Sequence, residues 1–282
     1  SAPGLNLVRG LATFGSRYAR SQAAVLGLAL TLLMLSIAFF ANIIAPYSPH
    51  KAAGPSLQAP SAAYPMGTDD LGRDVFTDVV YGARTSLTVG ALVAGIAALI
   101  GVLVGGVSGY FGNRVDDGLM RITEVFQVVP RFFLAVIVIA LFGAGLRNVI
   151  FVLGLTSWTM IARILRAEVL SLRERDFVVA AQATGARHRT IILRHVLPNA
   201  LPSLVVTVSL LVGHAILVEA SLSFLGLGDP NTISWGYMLN NAQPFMRTAW
   251  WVALFPGLAI TLTVLGLNLT GDGLNNAWNP KL

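Results

Sequence analysis

The sequence predicts an all-α integral membrane protein with six transmembrane helices, and three observations lead to that prediction. The chain of 282 residues is 55% hydrophobic and only 11% charged, and its mean hydropathy is +0.71. It contains four long windows without a formal charge, at residues 21–50, 85–113, 195–218 and 248–271. Basic residues gather at the ends of these windows, as they do beside membrane spans. The shortest windows, of 24 residues, would extend about 36 Å as helix, enough to cross a hydrocarbon core of about 30 Å.

The middle of the chain holds two shorter windows, residues 132–146 and 148–162, separated by Arg147. Each has 15 residues, which is too short to cross a bilayer as a helix. We therefore expect the first to extend back to about Ile122 and the second to continue to about Leu165. These would be the third and fourth spans.

Several polar groups fall inside the predicted spans, where they are costly unless they face protein or water. Glu124 and Arg131 are seven residues apart, so one continuous helix would place them on one face. Glu219 lies four residues before the expected outer end of the fifth span at Ser223. It is a candidate for lining a translocation pathway, together with His214, five positions earlier; the alternative is a carboxylate that neighbouring helices satisfy.

The distribution of basic residues sets the orientation. With residues 1–20 in the cytoplasm and the first span at 21–45, the connector between the fourth and fifth spans is cytoplasmic, as is the tail at 275–282. That connector carries seven arginines: Arg163, Arg166, Arg173, Arg175, Arg187, Arg189 and Arg194. The opposite orientation would place all seven outside, against the positive-inside rule. The net charge of +6 is therefore attributed to the membrane boundary and not to nucleic-acid binding.

The outer connector at residues 46–84 begins irregular and rich in proline, alanine and serine. Its second half carries an apolar stripe at helical spacing, formed by Val75, Phe76, Val79 and Val80. We expect a short amphipathic helix on the outer membrane surface, capped by Thr68 or Asp69.

The remaining core, residues 85–274, contains five spans. Its first span has small residues at four-residue intervals, at Ala97, Gly101, Gly105 and Gly109. Such a ridge favours close approach of another helix. Trp250 and Trp251 stand at the outer start of the last span, where interfacial aromatic residues are typical.

No catalytic or cofactor-binding pattern is present in the sequence. There is no phosphate-binding G-x-x-x-x-G-K-[ST] loop, and Lys51 and Lys281 are the only lysines. The four histidines are spread over different parts of the predicted topology, and cysteine is absent, so a metal site is not expected. A membrane enzyme is therefore a weak alternative.

The cytoplasmic connector at about 167–199 has a pattern that a simple solvated loop does not explain. Ala180, Ala181 and Ala183 provide a small surface before Gly185, where the chain can turn with positive φ. Residues 187–196 can form a second short helix, and Leu197-Pro198 would end the connector before the fifth span. The prediction is a helix, a bend and a helix that docks on another protein.

The segment VAAQATG (179–185), followed after nine residues by HVLP (195–198), resembles the EAA loop of ABC importer permeases, whose pattern is E-A-A-x₃-G-x₉-I-x-L-P. Val179 replaces the glutamate of that pattern and His195 the isoleucine. Other stretches resemble the C-type permease of dipeptide, oligopeptide and nickel importers: MGTDDLGRDVFTDVVYGARTSL (66–87), HVLPNALP (195–202), SLSFLGLG (221–228), SWGYML (234–239), WWVALFPGLAITLTVLGLNLTGDGL (250–274) and NPKL (279–282).

The resemblance implies a type I ABC importer permease fold in a bacterial plasma membrane, with both termini cytoplasmic. It implies four partners: a B-type permease subunit, two ABC ATPase subunits and an extracytoplasmic peptide-binding protein. ATP and Mg would be bound by the ATPases and no cofactor by this chain. The residues expected to couple to an ATPase are Ala180, Ala181, Gly185, Ala186, Arg187, His188, Arg189, Leu197 and Pro198.

The cargo implied by the resemblance is a dipeptide or oligopeptide. Relatives with nickel chelates, glutathione or heme as cargo are the alternatives within the family. A secondary transporter is the alternative outside it, and it would require no ATPase partner.

Overall fold

The computed structural model describes residues 14–278, and the regular elements in this part of the chain are helices, apart from an isolated bridge between Thr68 and Asp74. Arg9, in the N-terminal segment 1–20, and the NPKL motif at 279–282 lie outside the described residues. The helices are α1 (Gln22–Phe39), α2 (Ala41–Ile44), α3 (Val75–Phe111), α4 (Asn113–Val128), α5 (Arg131–Phe142), α6 (Leu146–Arg173), α7 (Asp176–Ala183), α8 (His188–Ile191), α9 (Leu197–Phe224), α10 (Trp235–Ala242) and α11 (Trp251–Trp278).

Six passages through a membrane can be formed by the described residues. Five helical runs are long and apolar enough on their own: α1, α3, α6, the run from α8 through α9, and α11. The sixth passage is the bent pair of α4 and α5. The predicted all-α fold with six spans is confirmed in this form.

The glycine ridge packs α3 against α6. A Cβ atom on Gly101 would lie 2.6 Å from Ile161, and one on Gly109 would lie 2.7 Å from the carbonyl oxygen of Arg166. Gly105 faces the backbone of Ala162 in the same way. The predicted packing role of these glycines is therefore confirmed, because any side chain there would force the two helices apart.

The predicted amphipathic helix on the membrane surface is wrong. Its residues form the first turns of α3, which runs unbroken for 37 residues, so the second span begins ten residues before Thr85. Val75, Val79 and Val80 are buried, and the indole N–H of Trp235 in α10 donates to the Val79 carbonyl at 2.9 Å. The apolar stripe faces protein because α10 packs on it through Trp235, which also lies against Gly82.

The cap of this helix also differs from the expected one. Asp74, not Thr68 or Asp69, accepts hydrogen bonds from the Thr77 amide at 2.8 Å and from its hydroxyl at 2.7 Å. Thr68 instead joins the outer segment, residues 45–74, to the last span, since its carbonyl accepts from the Trp251 indole at 3.1 Å. Trp251 is consequently buried, whereas Trp250 is exposed as an interfacial residue would be.

The third span is broken where a straight helix was expected. α4 and α5 meet at an angle of 73° around Val129-Pro130. Proline disfavours helical geometry in the preceding residue, and Val129 is extended, with φ −88° and ψ 123°. Glu124 and Arg131 thus lie on different helices, and the expectation that they share one helical face is wrong.

Candidate functional site: the cytoplasmic elbow and the polar groups of the spans

The elbow, defined as residues 176–198, begins with α7. Asp176 lies in its first turn, where a carboxylate is favourable near the positive end of the helix dipole. Val178 is fully buried in a cluster with Tyr110, Leu172 and Ile191. This side chain fixes the orientation of α7 against the C-terminal ends of α3 and α6.

Gly185 forms the bend of the elbow. Its φ is +77°, and its amide donates to the Gln182 carbonyl at 2.9 Å while the Ala186 amide donates to the Ala181 carbonyl at 3.1 Å. These two bonds define a Schellman motif, which satisfies the last carbonyls of a helix and needs a residue that tolerates positive φ. A Cβ atom on Gly185 would meet nothing within 4 Å, so backbone conformation and not space demands the glycine.

The second arm of the elbow continues into the fifth span. α8 is followed by a π-helical turn, Ile192–Val196, and then directly by α9, giving one helical run from His188 to Phe224. α9 begins at Leu197 with Pro198 in its first turn, as expected, but no break separates the connector from the span because the π turn joins them. Pro198 would obstruct ordinary helical bonding to the preceding turn, and the wider π turn lies where that obstruction falls.

The elbow presents a mixed surface away from the rest of the chain. Ala180, Ala183, Gly185 and the predicted coupling residues Arg187, His188 and Arg189 are exposed, as is Pro198. Ala181, Ala186 and Leu197 are half-buried and pack on the cluster around Val178. Three apolar side chains stand beside the arginines and were not singled out from sequence: Val179 is 51% exposed, Leu193 52% and Phe177 39%.

His188 ties the elbow to α3. Its Nδ1 lies 2.9 Å from the hydroxyl of Tyr110, and the carbonyl of Tyr110 accepts from Arg173 at 3.2 Å. These residues border an open groove of about 550 Å³ beside α7. Tyr110 carries no motif of its own, so sequence reasoning had no signal for it.

A partly buried ion pair joins α4 to α6 close to the elbow. Arg166 donates through Nε and a terminal nitrogen to the two carboxylate oxygens of Asp116, both at 2.5 Å, and Ser108 donates to the same carboxylate. Bidentate pairing of this kind fixes geometry as well as charge. Arg166, expected only as part of a positive loop, therefore has a structural partner.

The two pathway candidates in α9 differ in their surroundings and do not contact each other. Glu219 is 0% exposed, and its Oε1 accepts from Ser223 at 2.7 Å and from Ser234 at 2.9 Å. Ser234 also caps α10 by accepting from the Tyr237 amide at 3.2 Å, so the carboxylate joins α9 to α10. Glu219 Oε2 has no hydrogen-bond partner among the described residues. His214 is exposed on the helix surface.

The arrangement of side chains in the described residues does not indicate a bound metal ion. Within residues 14–278, no three histidine, aspartate or glutamate side chains come together in a way that could hold a metal ion. The fold and the elbow instead define a multi-pass helical membrane protein with an exposed, jointed connector before the fifth span.

Comparison with known proteins identifies the family. Residues 97–282 match the binding-protein-dependent transport system inner membrane component family, and residues 12–60 match the N-terminal transmembrane domain of oligopeptide transport permease C. The chain belongs to this family of inner membrane transport components, and the resemblance seen in its motifs is confirmed.

Individual relatives match over almost the whole chain. The dipeptide transport system permease protein of Bacillus subtilis is 41% identical, over 94% of this chain and 84% of its own length. The oligopeptide permease protein of the same organism is 37% identical, over 94% and 88%. A glutathione transport system permease protein of Pectobacterium atrosepticum is 39% identical, over 95% and 90%.

The solved structure of an inward-facing methionine ABC transporter, MetNI, shares the fold. One of its chains matches 71% of this chain and 96% of its own length with a TM-score of 0.59 and 19% identity. The helical fold of most of the chain is thus supported independently of sequence motifs.

Proposed function

We propose that this chain forms half of the translocation pathway of an ATP-driven peptide importer and is coupled to an ATPase subunit through the elbow. The observation that carries the proposal is the elbow itself. Its exposed surface is continuous with the fifth span through one helical run, so a displacement imposed on α7 and α8 is transmitted to α9.

The contacts inside the elbow explain how it can transmit force. Val178 is buried in the cluster shared by both arms, and the Schellman motif closes the bend between them. Tyr110 links the second arm to α3 through His188. A rigid joint of this kind moves as a body, as coupling of ATPase closure to opening of a permease requires.

The proposed assembly contains a related B-type permease, two ABC ATPases and an extracytoplasmic peptide-binding protein. ATP and Mg belong to the ATPases, and this subunit performs no chemistry. The exposed Arg187 and Arg189, together with the apolar Val179 and Leu193, suit an ATPase groove with an apolar floor and an acidic rim. Both termini lie in the cytoplasm of a bacterium, in accordance with the arginine-rich connector.

A substitution at Gly185 tests the coupling. Gly185→Leu forces a branched side chain into positive φ, at a strain of about 1–2 kcal/mol, and should distort the bend without touching any span. We expect the assembled complex to insert normally and to hydrolyse ATP, while peptide uptake into proteoliposomes is lost. Gly185→Asn is the matched control, since asparagine tolerates positive φ, and it should retain most uptake. Normal uptake by the leucine variant would contradict the coupling role.

Peptide is proposed as cargo because relatives with dipeptide and oligopeptide permease names match nearly the entire chain. The match to a glutathione permease of similar identity makes glutathione the alternative with a specific observation behind it. Uptake by the complex with its cognate binding protein should be measured for dipeptides, longer peptides, glutathione, a nickel chelate and heme. Transport of glutathione without transport of any other peptide would move the assignment to that cargo.

A further inference from the structure

A group of positively charged side chains lies inside the membrane-spanning part of the fold, where α5 and α6 approach one another. Arg131 opens α5 immediately after the bend, and its guanidinium donates to the hydroxyl of Thr159 in α6 at 3.3 Å. Arg163 stands one turn after Thr159, close enough for its charge to act on Arg131.

The depth of Arg131 follows from the packing of α3 on α6. Gly101 approaches Trp158 and Ile161, the residues on either side of Thr159 and Met160. α3 continues beyond Gly101 to Phe111, about 15 Å farther toward the cytoplasm. The bond between Arg131 and Thr159 is therefore well inside the span and is not part of the cytoplasmic boundary.

The two arginines follow one another along α6. Arg163 comes after Ala162, which packs on Gly105 of α3, and it therefore lies one turn beyond the Thr159 hydroxyl that binds Arg131. Arg131 and Arg163 together are called the cationic track.

No acidic side chain neutralises this track within the described part of the chain. The ion pairs formed by residues 14–278 are Arg73 with Asp69 and Arg166 with Asp116. Arg131 is only half-buried, and Arg163 is exposed. Arginine exposed to lipid at this depth is costly, so the surface must face a water-filled pathway or another protein.

A further donor is left without a partner beside the bend. Gln127, four residues before Arg131, has its amide nitrogen buried and unbonded. The helix that Arg131 opens has no side-chain cap, and its first amides add to the positive potential there. All these groups supply hydrogen-bond donors or positive charge, and an anionic acceptor is what they lack.

We propose that this cationic track, formed by Arg131 and Arg163, binds the C-terminal carboxylate of a peptide as it passes through the permease; the inference rests on the proposed peptide-import function. The carboxylate is the one anionic group that unmodified linear peptides have in common, whatever their side chains. A guanidinium binds it with two parallel hydrogen bonds, and Thr159 holds the guanidinium of Arg131 in place for this contact. Successive weak positive sites let the carboxylate enter and leave, as transport requires.

A carboxylate of the partner permease is the competing occupant, but it would leave some of the donors on this surface without an acceptor. One such group would neutralise one arginine and form a permanent pair. Two guanidinium groups and the unbonded amide of Gln127 exceed that need. A moving anion can use each of these donors in turn.

The test compares a free peptide with its C-terminal amide in proteoliposomes that contain the complete complex. Uptake of each is normalised to its measured occupancy of the binding protein, because that protein can itself select the carboxylate. Arg131→Gln should lower uptake of the free peptide about tenfold, the loss of a charge-assisted hydrogen bond, and leave uptake of the amide at the wild-type level. Thr159→Val, which removes only the orienting hydroxyl, should show the same selectivity with a smaller loss.

Controls separate the possible failures. Arg147→Gln removes an exposed arginine from the outer end of α6 and should affect neither peptide. Equal loss of both peptides in Arg131→Gln, with ATP hydrolysis also reduced, would overturn the inference in favour of a structural pair with the partner permease. Unchanged uptake of both would overturn it as well. A wild-type complex that imports no peptide would instead refute the proposed function.

Discussion

Glu219 and Arg131 are both ionisable side chains inside the membrane-spanning region, yet they differ in burial and in hydrogen-bond partners. Glu219 is completely enclosed, and two serine hydroxyls from the same chain donate to its Oε1, while its Oε2 has no partner among the described residues. Arg131 is half-buried, binds one threonine and lies beside a second arginine, Arg163. An enclosed group that is held by hydrogen bonds of its own chain stabilises the fold, whereas a partly exposed charge beside a like charge indicates a partner or ligand outside the chain. Depth in the membrane alone does not distinguish the two cases.

The largest loss of stability is expected when the Glu219 carboxylate is removed. Glu219→Ala leaves the hydroxyls of Ser223 and Ser234 without their buried acceptor, and it should destabilise the protein by about 3 kcal/mol. Thermal unfolding of the purified complex in detergent would measure the loss.

Glu219→Gln is the matched variant, because its carbonyl oxygen can still accept both hydrogen bonds. It should keep near-normal stability and near-normal peptide uptake. A folded Glu219→Gln complex with strongly altered uptake or substrate-stimulated ATP hydrolysis would instead support the pathway role predicted from the sequence.

A smaller effect is expected from the serine that joins α9 to α10. Ser234→Ala removes one hydrogen bond to Glu219 and the cap of α10 together, so we expect a loss of about 1–2 kcal/mol. Ser221→Ala is the control, since Ser221 is exposed and bonds only to the Leu217 carbonyl one turn earlier. Similar unfolding midpoints for the two variants would show that the serine pair contributes little.

The smallest expected effect is a change in the pH dependence of stability, and it involves Asp69, a carboxylate outside the spans. Burial raises the pKa of Asp69, with the charge of Asp70 acting in the same direction, against hydrogen bonds from the Arg73 and Leu71 amides and the charge of Arg73. Because the folded-state pKa lies above the unfolded value, the contribution to stability is fully present below the unfolded pKa. It is lost as the pH rises through the folded pKa.

Asp69→Asn should therefore remove a small gain in stability that the wild type shows on acidification. The amide oxygen can still accept from Leu71 and Arg73, so the loop should keep its shape. Unfolding midpoints of both proteins measured from neutral pH down to about pH 4 would show the difference. Parallel curves would mean that burial of Asp69 has no energetic consequence.

Much of the fold could be predicted because long apolar windows and the arginine distribution are local properties of the sequence. The glycine ridge was predictable for the same reason, since four-residue spacing places Gly101, Gly105 and Gly109 on one face of any helix. The bend at Gly185 likewise follows from a single residue with positive φ. The exposure of individual elbow side chains was harder to predict from the sequence. Ala181 packs inward, for example, although it lies beside the exposed Ala180.

The failed expectations share a physical cause. Val75 to Val80 have the pattern of a surface helix, and only the position of Trp235 shows that the apolar face meets protein. Val129-Pro130 was a visible break signal, but the 73° angle depends on how α4 and α5 pack on the rest of the chain. Trp251 and Trp250 are adjacent in sequence, yet only the outer segment decides that one of them is covered.

The sequence by itself determined the class of protein, the number of membrane passages and the location of the jointed connector. These follow from hydrophobic length, charge asymmetry and turn chemistry, which act over a few residues to a few tens of residues. Tertiary structure alone decided which ionisable groups are satisfied. Ser234 reaches Glu219 from another helix and Thr159 reaches Arg131 from another helix, and no periodicity in the chain records those distances. Whether an ionisable group finds partners depends on side chains that other helices bring close to it. It could therefore be determined only from the packed structure.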